Sequence, residues 1–262
     1  MNMPELANPL IFLLAALGVA VFVFFRYVLV AGGFYLFFYR FAKARFAHRK
    51  INFRLRQPGQ SWKEVKWSAL TSLAFGVAGA AMLLAWQKGY TRIYTDITDY
   101  GYFYLVFSLI AALVLHETYY YWLHRWMHRP KVYRIVHKVH HDSIVTSPWT
   151  SFSFHPLESI LQAIVVPVLV FILPLHYTVV ILMLTLMTIS ATINHLDIEI
   201  YPKGTAENWF GKWMIGATHH SLHHTEFRTN YGLYFTFWDK WMRTESGKYE
   251  ETFREKTEVS KY

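Results

Sequence analysis

Four long apolar segments constrain the fold of this chain more than any other feature. They occupy residues 10–39, interrupted by a lone Arg26, and then 67–86, 102–121 and 157–194. A helix needs roughly 20 predominantly apolar residues to cross the hydrocarbon core of a bilayer. Each segment meets that length, although prolines break the last one. The sequence therefore predicts an all-α, integral-membrane helical protein.

Composition and charge agree with a membrane protein and narrow its chemistry. Apolar residues make up 54% of the chain and charged residues only 16%, against about 25% charged in ordinary soluble domains. Cysteine is absent, which excludes disulfides and thiolate ligands, so any metal must be held by nitrogen and oxygen. Residues 40–66 carry nine Lys and Arg against one acid, Glu64. Beside two apolar spans, this basic loop indicates a cytoplasmic segment that contacts anionic headgroups rather than nucleic acid.

The order of these segments predicts a topology. The first span runs into the cytoplasm, residues 67–86 cross outward, and residues 102–123 return. Residues 157–173 and 177–195, joined by Pro174-Leu175-His176, read as a helical hairpin that enters the membrane and comes back. We thus expect about three spans, a membrane-inserted hairpin and a cytoplasmic helical histidine-rich cap. Residues 1–262 form one expected domain with a core at about 100–244, no cleavable signal peptide, and a solvated, poorly ordered tail after residue 243.

Histidines occur in groups with the spacing of metal ligands. His124 and His128 are four residues apart, residues 137–141 read H-x-x-H-H, and residues 220–224 repeat that pattern. On a helix, positions i, i+3 and i+4 lie on one face, so each group can direct two or three imidazoles at one point. Eight imidazoles exceed the four to six ligands of a single ion. The spacing therefore predicts two metals, in preference to polar groups at the headgroup level or a pH-sensitive surface.

Several functions fit such a site. Imidazole suits iron, copper, nickel and zinc, and neutral ligands leave the metal charge largely uncompensated, which favours anionic or reducible ligands such as hydroxide, oxide or peroxide. Two irons at the mouth of a membrane hairpin would suit oxidation of the unactivated C–H bonds of a lipid. A membrane zinc hydrolase is one alternative, although the H-E-x-x-H signature is missing. A non-catalytic membrane carrier of metal or haem is another, although a carrier places its ligands along the spans.

Four motifs resemble a known family. They are HRWMH at 124–128, VYRIVHKVHH at 132–141, FHPLE at 154–158, and THHSLHH at 218–224 followed by NYG at 230–232 and FTFWD at 235–239. Together they resemble the fatty acid hydroxylase/sterol desaturase superfamily, most closely the sterol C-5 desaturase (lathosterol oxidase) branch. The resemblance covers about residues 100–244. It implies an integral-membrane, non-haem di-iron oxidoreductase that uses dioxygen to desaturate or hydroxylate a sterol-like or fatty-acyl lipid.

The same resemblance implies a ligand set. The family's metal ligands fall on His124, His128, His137, His140, His141, His195, His220, His223 and His224. His219 is either a ligand or a residue that supports one, and His155 either starts a helix or contacts metal. Glu117 and Asp197 depart from the pattern of the sterol C-5 desaturases. Both keep a carboxylate that could hydrogen-bond a ligating imidazole, so the departures put the sterol substrate in question more than the metal site.

The electron donor is expected to be a separate protein. The chain has neither an H-P-G-G haem element nor a G-x-G-x-x-G nucleotide loop. Reducing equivalents must then come from a donor protein and its reductase. The basic loop at 40–66, with residues 125–138, is a suitable surface for an acidic donor.

Overall fold

The computed structural model describes residues 5–258. Twelve α-helices are present in that range: α1 Pro9–Leu36, α2 Lys43–Phe46, α3 Gln60–Gln87, α4 Gly101–Met127, α5 Pro130–Val132, α6 Lys138–His141, α7 Pro156–Ala163, α8 Val165–Ile172, α9 Tyr177–Asn194, α10 Ala217–Glu226, α11 Phe237–Trp241 and α12 Tyr249–Thr257. Short 3₁₀ turns and two π-helical turns, Phe37–Phe41 and Tyr133–His137, connect several of them. The expectation of an all-α protein is confirmed.

Four helices are long and apolar enough to cross a membrane: α1 with its π-helical extension (Pro9–Phe41), α3, α4 and α9. The first begins sharply because Asn8 Oδ1 accepts hydrogen bonds from the backbone N–H groups of Leu10 (2.9 Å) and Ile11 (3.4 Å) and Pro9 occupies the first helical position. Many large apolar side chains of α1 are exposed on the protein surface. That exposure fits contact with lipid and confirms a multi-pass membrane protein.

The expected hairpin has two unequal arms. Its first arm is the shorter apolar segment Pro156–Ile172, which is divided into α7 and α8. Its second arm, α9, has 18 residues and is long enough to cross alone. The turn between the arms holds a detail that the sequence did not predict. Strand β2 (Leu175–His176) pairs in parallel with strand β1 (Ile93–Tyr94) from the α3–α4 connection.

The tail after residue 243 differs from expectation. Instead of a poorly ordered end, it forms α12, in which Tyr249 and Phe253 are buried against Ala206 and Leu222. The alternating charges had suggested a solvated segment, but Glu250, Glu251, Arg254 and Glu255 lie on the exposed face of this amphipathic helix, whereas Lys256 is buried. Residues 1–4 and 259–262, the ends of the expected 1–262 domain, lie outside the described residues.

The basic loop lies against the segment that follows α9. Ile51 N donates to Asp197 O at 3.0 Å, and Glu199 N donates to Arg49 O at 3.0 Å. A single antiparallel bridge, Lys50 with Ile198, lies between these two bonds. The fold thus places the loop at 40–66 next to the residues that follow His195.

Candidate metal centre

The nine histidines expected to bind metal come together in two groups. One contains His124, His128, His137, His141 and His223, and the other contains His140, His195, His220 and His224. Within each group, one nitrogen from every ring lies within 4.8 Å of the others. All nine side chains are buried except that of His128, which is half-buried. The groups therefore contain five and four converging imidazoles.

Helix geometry explains how each H-x-x-H-H motif serves both groups. His137 and His141 are four residues apart and enter the first group, whereas His140, rotated by about 100° from its neighbour, enters the second. Helix α10 does the reverse: His220 and His224 enter the second group and His223 the first. Each motif thus contributes an i,i+4 pair to one group and a single ring to the other.

The ring nitrogens face one another at the distances expected around a shared centre. Four Nε2–Nε2 separations lie between 3.0 and 3.1 Å: His124–His137, His141–His223, His140–His195 and His195–His220. Among residues 5–258, the buried Nε2 atoms of His128 and His224 have no hydrogen-bond partner. Unpaired buried nitrogens are costly unless something binds them. The donor set therefore fits two bound cations better than a network of histidines alone.

Backbone carbonyl oxygens accept hydrogen bonds from the Nδ1 atoms of several of these histidines. Nδ1 of His124 donates to Tyr231 O (2.8 Å), Nδ1 of His223 to Thr229 O (2.6 Å) and Nδ1 of His195 to Ala191 O (2.7 Å). A carbonyl only accepts, so each Nδ1 carries the hydrogen and each Nε2 keeps its lone pair. The lone pairs are thus directed into the two groups, as metal ligation requires.

Burial also keeps the imidazoles outside the spans neutral. Desolvation lowers the pKa of His137, His140, His141, His220, His223 and His224 well below the usual value, and repulsion among the rings lowers it further. A protonated imidazole cannot ligate metal. The centre is therefore ready to bind cations at neutral pH.

Glu158 is the carboxylate at the centre that sequence reasoning did not single out. Its Oε1 lies 2.8 Å from His137 Nδ1 and also accepts from Gln162 Nε2 at 3.0 Å. The side chain is fully buried in the first turn of α7. The available signal was an acid in the FHPLE motif that opens an apolar helix, since carboxylates often orient ligating histidines.

The two acids that had been expected to contact imidazoles bind backbone amides instead. Glu117 accepts from Leu233 N (3.0 Å) and Tyr234 N (2.7 Å). Asp197 accepts from the backbone and side-chain nitrogens of Asn52 (3.2 and 2.7 Å). Both carboxylates therefore fix the chain around the centre rather than a ligating ring. The reason is position along the chain: Glu117 lies two turns, or about 10 Å, before His124 along α4, and Asp197 follows the end of α9.

His219 and His155 lie outside both groups. His219 is buried with its Nε2 4.0 Å from Asp239 Oδ2 and 4.0 Å from Glu245 Oε1. His155 Nδ1 accepts from Leu157 N at 3.3 Å and caps α7, as the helix-start interpretation had it. Neither ring contributes a nitrogen to the converging sets.

An apolar cavity of about 240 Å³ reaches the second group from within the helical bundle. It lies between α1, α3, α4, α8 and α9, and His195 forms part of its wall. Along α9 the lining extends from Leu184 to His195, eleven residues or about 16 Å at 1.5 Å per residue. The cavity thus connects the membrane-embedded part of the protein to the histidines.

The fold and the site define a multi-pass helical membrane protein with a histidine-rich candidate metal centre beside an apolar cavity. A match to the fatty acid hydroxylase family covers residues 109–244, more than half of the 262 residues. The chain belongs to this family, and its relatives support the sterol desaturase branch.

Three relatives illustrate the similarity. A Delta(7)-sterol 5(6)-desaturase of Aspergillus fumigatus is 30% identical over 80% of this chain and 70% of its own length. Another of Gibberella zeae is 32% identical over 59% and 46%, and lathosterol oxidase of Homo sapiens is 31% identical over 68% and 58%. The chain therefore spans between about half and about two thirds of the length of these proteins. No solved structure matches it.

Proposed function

We propose that this protein is a membrane-bound non-haem di-iron oxidoreductase that uses dioxygen to desaturate or hydroxylate a lipid C–H bond. The observation that carries the proposal is that the chain brings together two imidazole groups, the second of which meets an apolar cavity at His195. Relatives named sterol desaturase and lathosterol oxidase support an oxidative reaction on a lipid. The nine histidines are the proposed iron ligands within one domain.

Iron bound in the two groups would supply the reduction of dioxygen and the cleavage of the C–H bond. The chain's own residues supply the rest. The carbonyls of Tyr231, Thr229 and Ala191 hold the ligands in one tautomer, and Glu158 orients His137. The apolar walls of the cavity hold a lipid and exclude water. Because His195 belongs to both the wall and the second group, the reacting carbon would lie at that end of the cavity.

The experiment that tests this function is metal analysis of the purified protein together with its electronic spectrum. We expect two irons per chain and no haem band. The His128→Ala and His224→Ala variants, one from each group, should each lower the iron content and reduce lipid oxidation at least about a hundredfold. His48→Ala, at an exposed position, serves as the control. Stoichiometric zinc would indicate the hydrolase, and a haem band the carrier.

The proposal includes a separate electron donor and a cytoplasmic location for the centre. Lys43 and Arg45 are exposed in the basic loop, and this loop pairs with the segment just after His195. An acidic carrier bound there would sit beside the second group. Positive charge in a short loop also favours the cytoplasmic side.

A further inference from the structure

The cavity wall contains a half-buried cation that no part of the proposed metal centre uses. Arg26 is the single charged residue of α1 and lines the cavity. Its Nε is buried without a hydrogen-bond partner, and within residues 5–258 its guanidinium forms no hydrogen bond or ion pair. Burial of an arginine in a span is costly, and such residues usually mark a binding site or pair with another group. Within residues 5–258, no acidic side chain forms an ion pair with Arg26.

The depth of Arg26 argues against a role at the membrane surface. It lies seventeen residues after Pro9 and ten before Leu36, or about 26 Å and about 15 Å from the two ends of α1. Arginines that reach the headgroup region lie near helix ends. Arg26 lines the cavity and its buried Nε has no partner among residues 5–258, so a molecule in the cavity could supply the missing hydrogen-bond acceptor.

The rest of the cavity fits the body of a lipid with one polar group. Phe75, Val166 and Met187 are among its apolar lining residues. Opposite α1, His116 on α4 adds a ring whose Nδ1 is bonded to Tyr234 Oη at 2.8 Å. A ligand that is apolar along most of its length and anionic at one point complements this distribution. The planar guanidinium binds carboxylate, sulfate or phosphate oxygens in pairs.

We propose that Arg26 binds the anionic group of the lipid that occupies this cavity, so that the protein selects acidic amphiphiles over neutral lipids of the same shape. The proposal rests on the proposed function because it defines the substrate class of the same cavity. Arg26 lies outside the family-matched residues 109–244. Membership of the family therefore does not by itself imply selection by headgroup charge.

The test is equilibrium binding to the iron-loaded protein in neutral nanodiscs, with two matched pairs of probes. One pair is palmitate and its methyl ester, and the other is cholesterol sulfate and cholesterol. Measurements are made at alkaline pH, where the carboxylate is ionised. We expect the charged member of at least one pair to bind about ten- to a hundredfold tighter, the range for a hydrogen bond between charged groups. A preference within the palmitate pair would indicate that the cavity binds an acyl chain, and one within the cholesterol pair would indicate that it binds a sterol.

Variants locate the preference. Arg26→Gln keeps a hydrogen-bond donor without charge and should bind both members of the pair equally. Arg26→Lys should retain part of the preference, and Arg92→Gln, at an exposed position between α3 and α4, should behave as the parent. Equal binding of charged and neutral probes by the parent, or a preference that survives in Arg26→Gln, would overturn the proposal.

The parent protein alone keeps the proposal falsifiable if Arg26→Gln does not fold. Lowering the pH protonates the carboxylate but not the sulfate, so a preference for palmitate should disappear and one for cholesterol sulfate should persist. Iron content and dioxygen-dependent oxidation are measured on the same samples. Equal binding of charged and neutral probes at alkaline pH, with iron and oxidation present, refutes the role of Arg26, whereas absence of iron refutes the proposed function.

Discussion

At the scale of single residues, the candidate centre includes side chains that contact the proposed ligands without being ligands themselves. Glu158 is the clearest case because its carboxylate contacts His137 Nδ1 in a fully buried setting. A carboxylate that accepts from Nδ1 makes the opposite nitrogen a better metal ligand and fixes the plane of the ring. The same position also receives a hydrogen bond from Gln162, so the carboxylate itself is held in place.

Glu158→Gln should therefore weaken the first group without removing a ligand. We expect a loss of roughly ten- to a hundredfold in iron affinity or activity, as for comparable residues around other metal sites. Iron titration of the chelator-treated protein measures it directly. Glu250→Gln, at an exposed acid in the first turn of α12, is the matched control. Unchanged iron affinity in Glu158→Gln would show that the contact has no role in metal binding.

At the scale of elements, the close packing of α1 and α3 forms one side of the cavity. Gly76 permits it, because a Cβ at this position would lie 2.6 Å from Ala20 Cβ and would also collide with Ala16 O. Small residues let transmembrane helices approach closely, and packing is a principal source of their association. The close approach of α1 and α3 thus depends on three small residues, Gly76, Ala16 and Ala20.

Gly76→Val should destabilise the protein by about 1–3 kcal/mol, the usual cost of overpacking. Gly18→Val, in α1, is the control because nothing lies within 4 Å of its added Cβ. The midpoint of unfolding in detergent distinguishes the two. Equal midpoints for the two variants would mean that α1 and α3 are not in this contact in the membrane.

The basic loop is the second element with a testable role. Arg56 and Lys63 are already paired with Glu64 and Asp142, so Lys43 and Arg45 are better probes of an external partner. Lys43→Glu with Arg45→Glu should raise the concentration of an acidic donor needed for half-maximal oxidation, and salt should affect the variant less than the parent.

The affinity of the Lys43→Glu, Arg45→Glu variant for lipid should equal that of the parent, because these residues are expected to contact the donor and not the lipid. Arg92→Glu, in the connection between α3 and α4, should leave the donor requirement as it is in the parent. If salt changed the donor requirement of parent and variant equally, the basic loop would have no role in binding the electron donor.

At the scale of the whole molecule, the helix order gives a prediction of sidedness. A reporter inserted after Gly59, between α2 and α3, should report the cytoplasm, and one inserted after Thr91, between α3 and α4, the opposite side. A third reporter after Glu226 at the end of α10 should agree with the first, because the histidine groups join α10 to α6. A signal after Glu226 that matches the Thr91 reporter would contradict the cytoplasmic location of the centre.

Stability should depend steeply on pH. The six histidines of the H-x-x-H-H motifs have lowered pKa values in the folded protein, whereas an unfolded histidine titrates near pH 6.5. Below that pH the unfolded chain binds more protons than the folded one. The free energy of unfolding should then fall by up to about 1.4 kcal/mol per pH unit for each histidine.

The unfolding midpoint of the chelator-treated protein between about pH 8 and about pH 5 measures this effect. His140→Gln should reduce the slope, since one buried imidazole is removed, and His48→Ala should not. A midpoint that stays constant over this range would show that the rings take up protons in the folded state as readily as in the unfolded chain.

The sequence by itself determined the membrane character and the chemistry of the donor set. Apolar length is a local property, so residues 10–39, 67–86 and 102–121 identified α1, α3 and α4 to within a few residues at most ends. Spacing on one helix is also local, so the two H-x-x-H-H motifs predicted imidazoles on one helix face, but the expectation that each motif aims at one point was wrong, because each is divided between the two groups. The amphipathic character of α12 was hidden because its apolar residues are few and their buried face needs α10 as a partner.

Only the tertiary structure decided how these parts meet. Adjacent rings such as His140 and His141 are assigned to different groups by the direction in which α6 faces α10, and no single-helix pattern fixes that direction. Glu158 and Glu117 are both lone acids next to an apolar segment of the sequence. In the structure, Glu158 contacts an imidazole, whereas Glu117 accepts hydrogen bonds from the backbone N–H groups of residues 233–235. Arg26 is a lone charge in a span by sequence, and only the structure shows that it lines a cavity shared with α3, α4 and α9 and that its buried Nε has no partner within residues 5–258. Each of these outcomes depends on contacts between elements distant in the chain, which local periodicity does not encode.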